Sequence, residues 1–227
     1  MSDTALIALQ NKIKEKQDQD PYIAAKIASP AILSKVQSYL ADDKEVNVET
    51  VFATLGSLAG YACQQSALLN LKNNDEVAQD SIMSVNDRNG NTYLYGRAIN
   101  RPLIENSFSI WSLVGGAVQS YNENLPDIDE MVTHTTESIG TLEFGKPRLP
   151  RGLLVPYLPK ELLKFWLPIK LEILDVLPVP TNDWGVAFGL AIQSFIDQSK
   201  SVLAPSIAAK VVMECAIPMS KITMKIS

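Results

Sequence analysis

The residue with the widest chemical repertoire in this 227-residue chain is its single histidine, His134. Helical spacing places Asp127, Glu130 and Glu137 on the same face as His134. An imidazole flanked by carboxylates in this way is a ligand set for a divalent metal. The opposite face of the same helix is apolar, so the acidic face is expected to meet water. Because the chain has no second histidine, we assign no metal ligand, and a metal site at His134 remains an alternative.

Nucleophilic catalysis would have to use the same histidine as its base. The two cysteines, Cys63 and Cys215, lie in apolar helical stretches, and the sequence places neither of them near His134. Buried cysteines of this kind are usually unreactive core residues. The chain also lacks a glycine-rich phosphate loop of the Walker or dinucleotide-binding type. We therefore favour a protein that is not an enzyme, and we expect no cofactor.

A small pattern, Gly-x-Ala-x-Gln, occurs three times, at residues 60–64, 115–119 and 189–193. Each copy ends an uncharged run that is typical of a buried helix. Positions four apart share one helix face, so each glutamine follows a small residue on that face. A row of small residues lets a neighbouring helix approach closely. We expect the three rows to face one another.

The glutamines of this pattern are Gln64, Gln119 and Gln193, and each amide needs hydrogen-bond partners if it is buried. In one interpretation the amides bond to each other, to the backbone or to buried water inside a closed core. In the other interpretation they line a polar, ligand-binding pocket between the helices. The sequence alone leaves both interpretations open.

Charge is segregated in the middle of the chain. Residues 123–143 carry six acidic side chains and no basic one, whereas residues 146–170 carry six basic side chains and one acidic one. A proline-rich loop, residues 145–159, opens the basic half and holds Lys146, Arg148 and Arg151. A stiff loop with basic side chains favours an interaction surface for a protein partner. The alternative is a solvated face of the ordinary kind.

Composition limits the remaining classes of function. A net charge of −5 argues against a general nucleic-acid binder. The chain has an apolar share of 46% and a charged share of 20%, which are typical of a globular protein. Residues 50–71 carry no charge, but polar side chains such as Gln64 and Asn70 in the second half argue against a membrane span. With no leader pattern at the start, we expect a cytoplasmic protein.

Helical periodicity and capping residues predict the elements that position these groups. The predicted helices cover 4–17, 21–40 with Pro30 inside, 48–71 capped by Asn47, 102–121, 126–140, a segment starting at Pro159 and kinked at Pro168, 183–199 capped by Asn182, and one from Pro205 that stops before Pro218.

One β-hairpin is predicted near residues 81–97, where two β-prone runs flank Asn89-Gly90. Both of these residues tolerate positive φ, which favours a hairpin turn over a calcium loop beginning at Asp87. No break in composition marks a domain boundary. The predicted fold is therefore mainly α: a single helical domain over residues 1–227, with about seven to eight helices and one hairpin.

Two groups of residues resemble a set of uncharacterised bacterial proteins of about this length. One is Asn182-Asp183-Trp184 through Asp197 with residues 213–221, and the other is residues 60–64 upstream of the Asn89-Gly90 hairpin with Tyr93 and Tyr95. The resemblance covers most of the chain and implies a bacterial, cytoplasmic protein. It implies no activity, ligand or catalytic residue.

The sequence therefore favours a non-enzymatic, soluble helical protein that acts by binding another protein or a second copy of itself. The alternative is a small-molecule-binding protein, or an enzyme, with a pocket between the Gly-x-Ala-x-Gln helices. We expect neither nucleic acid nor a membrane span among its interactions.

Overall fold

The chain folds mainly into α-helices with one antiparallel hairpin, as the sequence predicts, in a computed structural model that describes residues 3–41, 47–72 and 82–223. The longer helices are α1 (Asp3–Lys16), α2 (Ile23–Leu40), α3 (Val48–Lys72), α5 (Ile110–Ser120), α6 (Ile128–Glu137), α9 (Trp184–Ser199) and α10 (Pro205–Met219). Single-turn helices are α4 (Arg97–Asn100), α7 (Pro159–Leu162) and α8 (Trp166–Ile169). Strand β1 (Met83–Asn86) pairs with β2 (Thr92–Tyr95).

Helix α3 is the centre of the molecule, and its uncharged run over residues 50–64 is buried on all sides. Its glycines allow α10 to lie directly against its backbone. A Cβ atom added at Gly60 would lie 2.0 Å from the carbonyl oxygen of Ala216, and one at Gly56 would lie 2.5 Å from that of Val212. The prediction that this row permits a close helix contact is confirmed.

Helix α9 packs on α2, α3 and α5, and its glycines lie at the contacts with α3 and α5. A Cβ atom at Gly189 would lie 2.5 Å from Cδ1 of Leu113 in α5, and one at Gly185 would lie 3.2 Å from Sγ of Cys63 in α3. The rows therefore pack on separate neighbours. The prediction that the three rows face one another is wrong, because α3 turns its glycines toward α10 and α9 turns Gly189 toward α5.

Local signals at helix ends are confirmed in several places. The Oδ1 atom of Asn47 accepts a hydrogen bond of 2.9 Å from the backbone N–H of Thr50, which caps α3. Pro30 lies inside α2 without ending it, and Pro159 and Pro205 start their helices. In residues 3–41, 47–72 and 82–223, no helix combines the length and apolarity that crossing a membrane requires.

Three predicted boundaries are wrong. The helix predicted over 102–121 is two elements, because the Ser109 side chain accepts a hydrogen bond from Ser112 N–H and starts α5 anew. Asn182 does not cap α9, since its Oδ1 accepts a 2.6 Å hydrogen bond from Asn70. Helix α10 runs through Pro218, which lies in its last turn.

The segment that follows α7 is irregular around Pro168. A 3₁₀ turn, Leu163–Phe165, precedes α8, and a π-helical turn, Lys170–Leu174, follows it. A further π turn, Arg101–Glu105, extends α4, and a 3₁₀ turn, Thr181–Asp183, leads into α9. Proline removes a backbone donor, so a departure from α-helical bonding near Pro168 is expected.

The hairpin loop spans residues 87–91 and is held by one carboxylate. Asp87 Oδ1 accepts hydrogen bonds from the N–H groups of Asn89 and Asn91, at 2.8 and 2.9 Å. Of Asn89 and Gly90, only Gly90 has a positive φ, 78°. The predicted hairpin is present, and its loop depends on the Asp87 side chain as much as on Asn89-Gly90.

Candidate functional site

A cavity of about 530 Å³ lies between the hairpin, the loop after α6, the start of α7 and the chain after α10. We call it the hairpin pocket. It is lined by residues 90–93, 141–142 and 144–146, by Leu158 and Lys160, and by Met219, Ile222 and Thr223. Its walls therefore come from four segments that are distant in the sequence.

One wall of the hairpin pocket is the short segment that follows α10, residues 220–223. This segment pairs with the free edge of β2: the Leu94 N–H donates to the Lys221 carbonyl at 2.8 Å. The Thr223 hydroxyl donates to the Thr92 carbonyl at 2.7 Å, and Tyr93 forms a β-bridge with Ile222. The hairpin and the chain after α10 thus form one continuous surface at the pocket.

Gln64 holds this segment from the other side. Its side chain is 1% exposed, and its Nε2 donates to the carbonyls of Ser220 at 3.1 Å and Ile222 at 2.9 Å. The amide therefore satisfies two carbonyl groups of this segment, of which that of Ser220 is buried. Gln64 does not line the hairpin pocket; it positions residues that do.

The apolar part of the hairpin pocket centres on an aromatic pair. The rings of Tyr93 and Phe144 meet edge to face with centroids 4.9 Å apart, an arrangement that aromatic pairs favour. The Tyr93 hydroxyl donates to Asp87 Oδ2 at 3.3 Å. Hydrogen bonds from the Asn91 side chain, the Asn91 and Asn89 backbone and Tyr93 hold the pKa of Asp87 below its usual range.

The polar part of the hairpin pocket carries positive charge. Lys146 and Lys160 line it, and both side chains are exposed. Lys146 Nζ also donates to Glu143 Oε1 at 3.0 Å, an exposed ion pair three residues apart. The lining itself contains no Asp or Glu. Lys146 was predicted from the sequence as part of an interaction surface, and the structure places it at the rim of a cavity.

The three Gly-x-Ala-x-Gln amides are not brought together. Gln193 Nε2 donates to the Leu113 carbonyl at 2.9 Å, whereas the Gln119 side chain is exposed to solvent. Gln64 donates instead to the carbonyls of Ser220 and Ile222. Within the described residues no hydrogen bond joins the three side chains. Their assignment to one ligand pocket stays a prediction, and their separate partners favour packing roles for Gln64 and Gln193.

Arg148 is half-buried and paired with two carboxylates of the protein itself. Its Nη2 donates to Glu214 Oε1 at 2.6 Å and its backbone N–H donates to Glu214 Oε2 at 3.1 Å. The guanidinium also pairs with Glu130 of α6, at 2.9 Å for one of the two contacts, and this pairing lowers the pKa of Glu130. The Glu214 side chain is only 4% exposed. Arg148 thus fastens the proline-rich loop to α10, whereas Arg151 is exposed.

The groups considered for nucleophilic or metal chemistry lie in unfavourable surroundings. Burial raises the pKa of the Cys63 thiol to about 12 and also raises that of Cys215, so both thiols stay protonated near neutral pH. His134 lies half-buried in the last turn of α6. Across the described part of the chain, no three His, Cys, Asp or Glu side chains are grouped as metal ligands would be.

Lys221 is a buried ionisable group that the sequence does not reveal. The residue is 5% exposed, its Nζ donates to Asn100 Oδ1 at 2.9 Å, and it lies 5.2 Å from the centre of the Tyr95 ring. Burial lowers its pKa from the ordinary 10.5 to about 8. The sequence around Lys221 does not predict its burial. The burial results from the tertiary contact with Asn100 of α4.

Replacing Lys221 with methionine is expected to stabilise the protein at pH 7. The folded state binds the Lys221 proton less tightly than the unfolded state does, so burying the charge costs about 3 kcal/mol at pH 7. The wild-type protein should recover this stability as pH rises from about 8 to about 10.5. Urea unfolding of both proteins at several pH values measures the difference between them.

That difference isolates Lys221, because every other titrating group is common to both proteins. The variant's advantage should shrink steadily between about pH 8 and about pH 10. An advantage of constant size across this range would show that Lys221 does not titrate in this way.

Comparison with known proteins gives no relative for this chain: no family model, no curated protein and no solved structure matches it. The resemblance to uncharacterised bacterial proteins therefore stays a prediction.

Proposed function

We propose that this protein binds a small organic molecule in the hairpin pocket. The observation that carries the proposal is the cavity itself, about 530 Å³ in volume and walled by four separate segments. Small-molecule sites are concave, usually about 300–1,000 Å³, and combine apolar walls with a few polar groups. The hairpin pocket lies within this size range and has both kinds of wall, with the Tyr93–Phe144 pair on one side and lysine and threonine side chains around it.

The lining supports binding rather than acid–base or nucleophilic catalysis. It contains no histidine, cysteine, aspartate or glutamate. These are four of the residue types that commonly act as general acids, bases or nucleophiles. A protein of this kind would hold or transport its ligand, or respond to it, without transforming it.

The proposed binding site differs from the small-molecule site that the sequence suggested. The sequence suggested a pocket between the Gly-x-Ala-x-Gln helices, whereas the cavity lies at the hairpin and only Gln64 reaches toward it, through residues 220–223. Bacterial origin and a cytoplasmic location accompany the proposal as predictions.

Action through a protein partner or self-association also stays a prediction. Of the three residues assigned to the interaction surface, Arg148 is engaged with Glu214 and Glu130, and Lys146 lines the hairpin pocket. Arg151 is exposed, but a single exposed arginine does not define a surface. The geometry therefore favours a ligand over a protein partner.

The uncharged fluorescent probe N-phenyl-1-naphthylamine tests the proposal, because it needs an apolar cavity and no charge. We expect a saturable rise in fluorescence at one probe per chain. Phe144→Ala removes half of the aromatic pair in the pocket and should weaken binding by about tenfold.

The matched control is Phe108→Ala. Phe108 also pairs with a tyrosine, Tyr22, at a centroid distance of 4.5 Å, but it does not line the pocket. Phe108→Ala should bind the probe as the wild type does. The proposal fails if no saturable binding is seen, or if the two variants lose affinity equally while both keep a cooperative thermal transition.

A further inference from the structure

We infer that the ligand of the hairpin pocket is an organic anion, an apolar body carrying at least one acidic group. This inference rests on the proposed function, because it names the chemistry of the molecule that the same pocket would take. It follows from the charge of the lining and from the position of the aromatic pair.

The lining of the hairpin pocket has a charge opposite to that of the whole protein. The protein as a whole carries a net charge of −5, yet the pocket lining carries two lysines and no carboxylate. A concave site lined by one sign of charge concentrates ions of the opposite sign. A cationic pocket on an acidic protein therefore selects anions locally, although the protein repels them at long range.

Three carboxylates contact residues of the lining without lining the pocket themselves. Asp87 accepts hydrogen bonds from Asn89, Asn91 and Tyr93, which fix it in the hairpin loop, and Glu161 accepts one from the Leu158 N–H at 2.7 Å. Glu143 pairs with Lys146, but both side chains are exposed, and exposed ion pairs of this kind hold weakly. Lys160 is exposed and lines the pocket, and the described residues provide no ion pair for it.

The ligand's apolar body is matched by the other side of the pocket. Tyr93 and Phe144 present ring surfaces, and Leu142, Leu158, Met219 and Ile222 extend them. The hydroxyls of Thr92, Thr141 and Thr223 donate within the protein, to Asn86 Oδ1, the Ser138 carbonyl and the Thr92 carbonyl. The lysine ammonium groups are therefore the lining groups that would bind the acidic group. A purely ionic ligand such as inorganic phosphate would leave the apolar walls unused.

A matched pair of probes tests the inference. 8-Anilinonaphthalene-1-sulfonate has the ring system of N-phenyl-1-naphthylamine with a sulfonate added, so the two differ by one negative charge. We expect the wild type to bind the sulfonate about tenfold more tightly at low salt, and this preference should shrink as salt is added. Lys146→Met with Lys160→Met should abolish the preference, which is measured as the ratio of the two probes' affinities for the same variant.

Lys14→Met with Lys16→Met is the control, because it removes the same amount of charge from exposed positions on α1. This variant should keep the preference for the sulfonate. Equal binding of both probes to the wild type, or a preference that survives in the Lys146/Lys160 variant, would overturn the inference and leave the binding function standing. If neither probe binds, the proposed function fails and the inference fails with it.

Discussion

Arg148→Met is expected to lower the free energy of unfolding by about 3–5 kcal/mol, one of the two largest effects that we predict. The guanidinium of Arg148 contacts both oxygens of Glu214, at 2.6 and 3.3 Å, and that carboxylate is almost fully buried. Without Arg148 the Glu214 carboxylate loses its counter-ion but stays in the interior. Urea unfolding at neutral pH measures the loss.

Two further variants separate the buried pair from the exposed one. Glu130→Gln breaks only the exposed contact of the same guanidinium and should cost about 1 kcal/mol or less. Arg148→Met combined with Glu214→Gln removes both charges and should recover a large part of the stability. Equal costs for Glu130→Gln and Arg148→Met would contradict this view of how the proline-rich loop is attached to α10.

Gly60→Ala should destabilise the protein by about 3 kcal/mol or more, at the upper end for overpacked cores. The new methyl carbon would lie 2.0 Å from the Ala216 carbonyl oxygen, and a backbone atom in a packed helix cannot move aside cheaply. Helix propensity alone predicts the opposite sign, because alanine is about 1 kcal/mol better than glycine in a helix. Thermal and urea unfolding decide between the two.

Gly116→Ala provides the matched control on α5. The nearest atom to its new methyl carbon is Nε2 of Gln193 at 3.9 Å, an ordinary contact distance. This variant should be as stable as the wild type or gain up to about 1 kcal/mol. A Gly60→Ala protein that unfolds like Gly116→Ala would show that α3 and α10 are not in backbone contact.

The features that the sequence predicted correctly are those that short stretches of chain determine. Asn47 caps α3 through an N–H three residues away, and the hairpin forms around a loop of five residues. The small residues of α3 and α9 correctly indicated close helix contacts. In each case the deciding interaction lies within one or two turns, or the residue type itself limits the packing.

The errors and omissions have a common physical cause, which is contact between distant segments. The three glutamines share a local pattern, but their hydrogen-bond partners differ. Gln64 donates to the carbonyls of Ser220 and Ile222, and Gln193 donates to the Leu113 carbonyl. The sequence around Asn182 predicts that it caps α9. Its Oδ1 atom instead accepts a hydrogen bond from the Asn70 side chain. A sequence pattern indicates that a buried polar side chain requires a hydrogen-bond partner, whereas the tertiary fold determines which group is that partner.

The candidate site was beyond sequence reasoning for the same reason. Each of its four segments contributes only a few residues, none of which forms a recognisable motif. Lys146 was singled out because of its charge, and Lys160 belonged to the same basic stretch, yet their convergence depends on how the loop after α6 meets α7. Tyr93 and Phe144 are 51 positions apart, and neither residue taken alone indicates a binding site in the sequence.

Backbone amide NMR during titration with N-phenyl-1-naphthylamine tests the central proposal most directly, because it locates the bound probe. We predict that the largest shift changes fall in residues 90–93, 141–146 and 219–223, with α5 and α9 little affected. Changes centred instead on the helices around Gln119 and Gln193, or none at saturating probe, would contradict binding in the hairpin pocket.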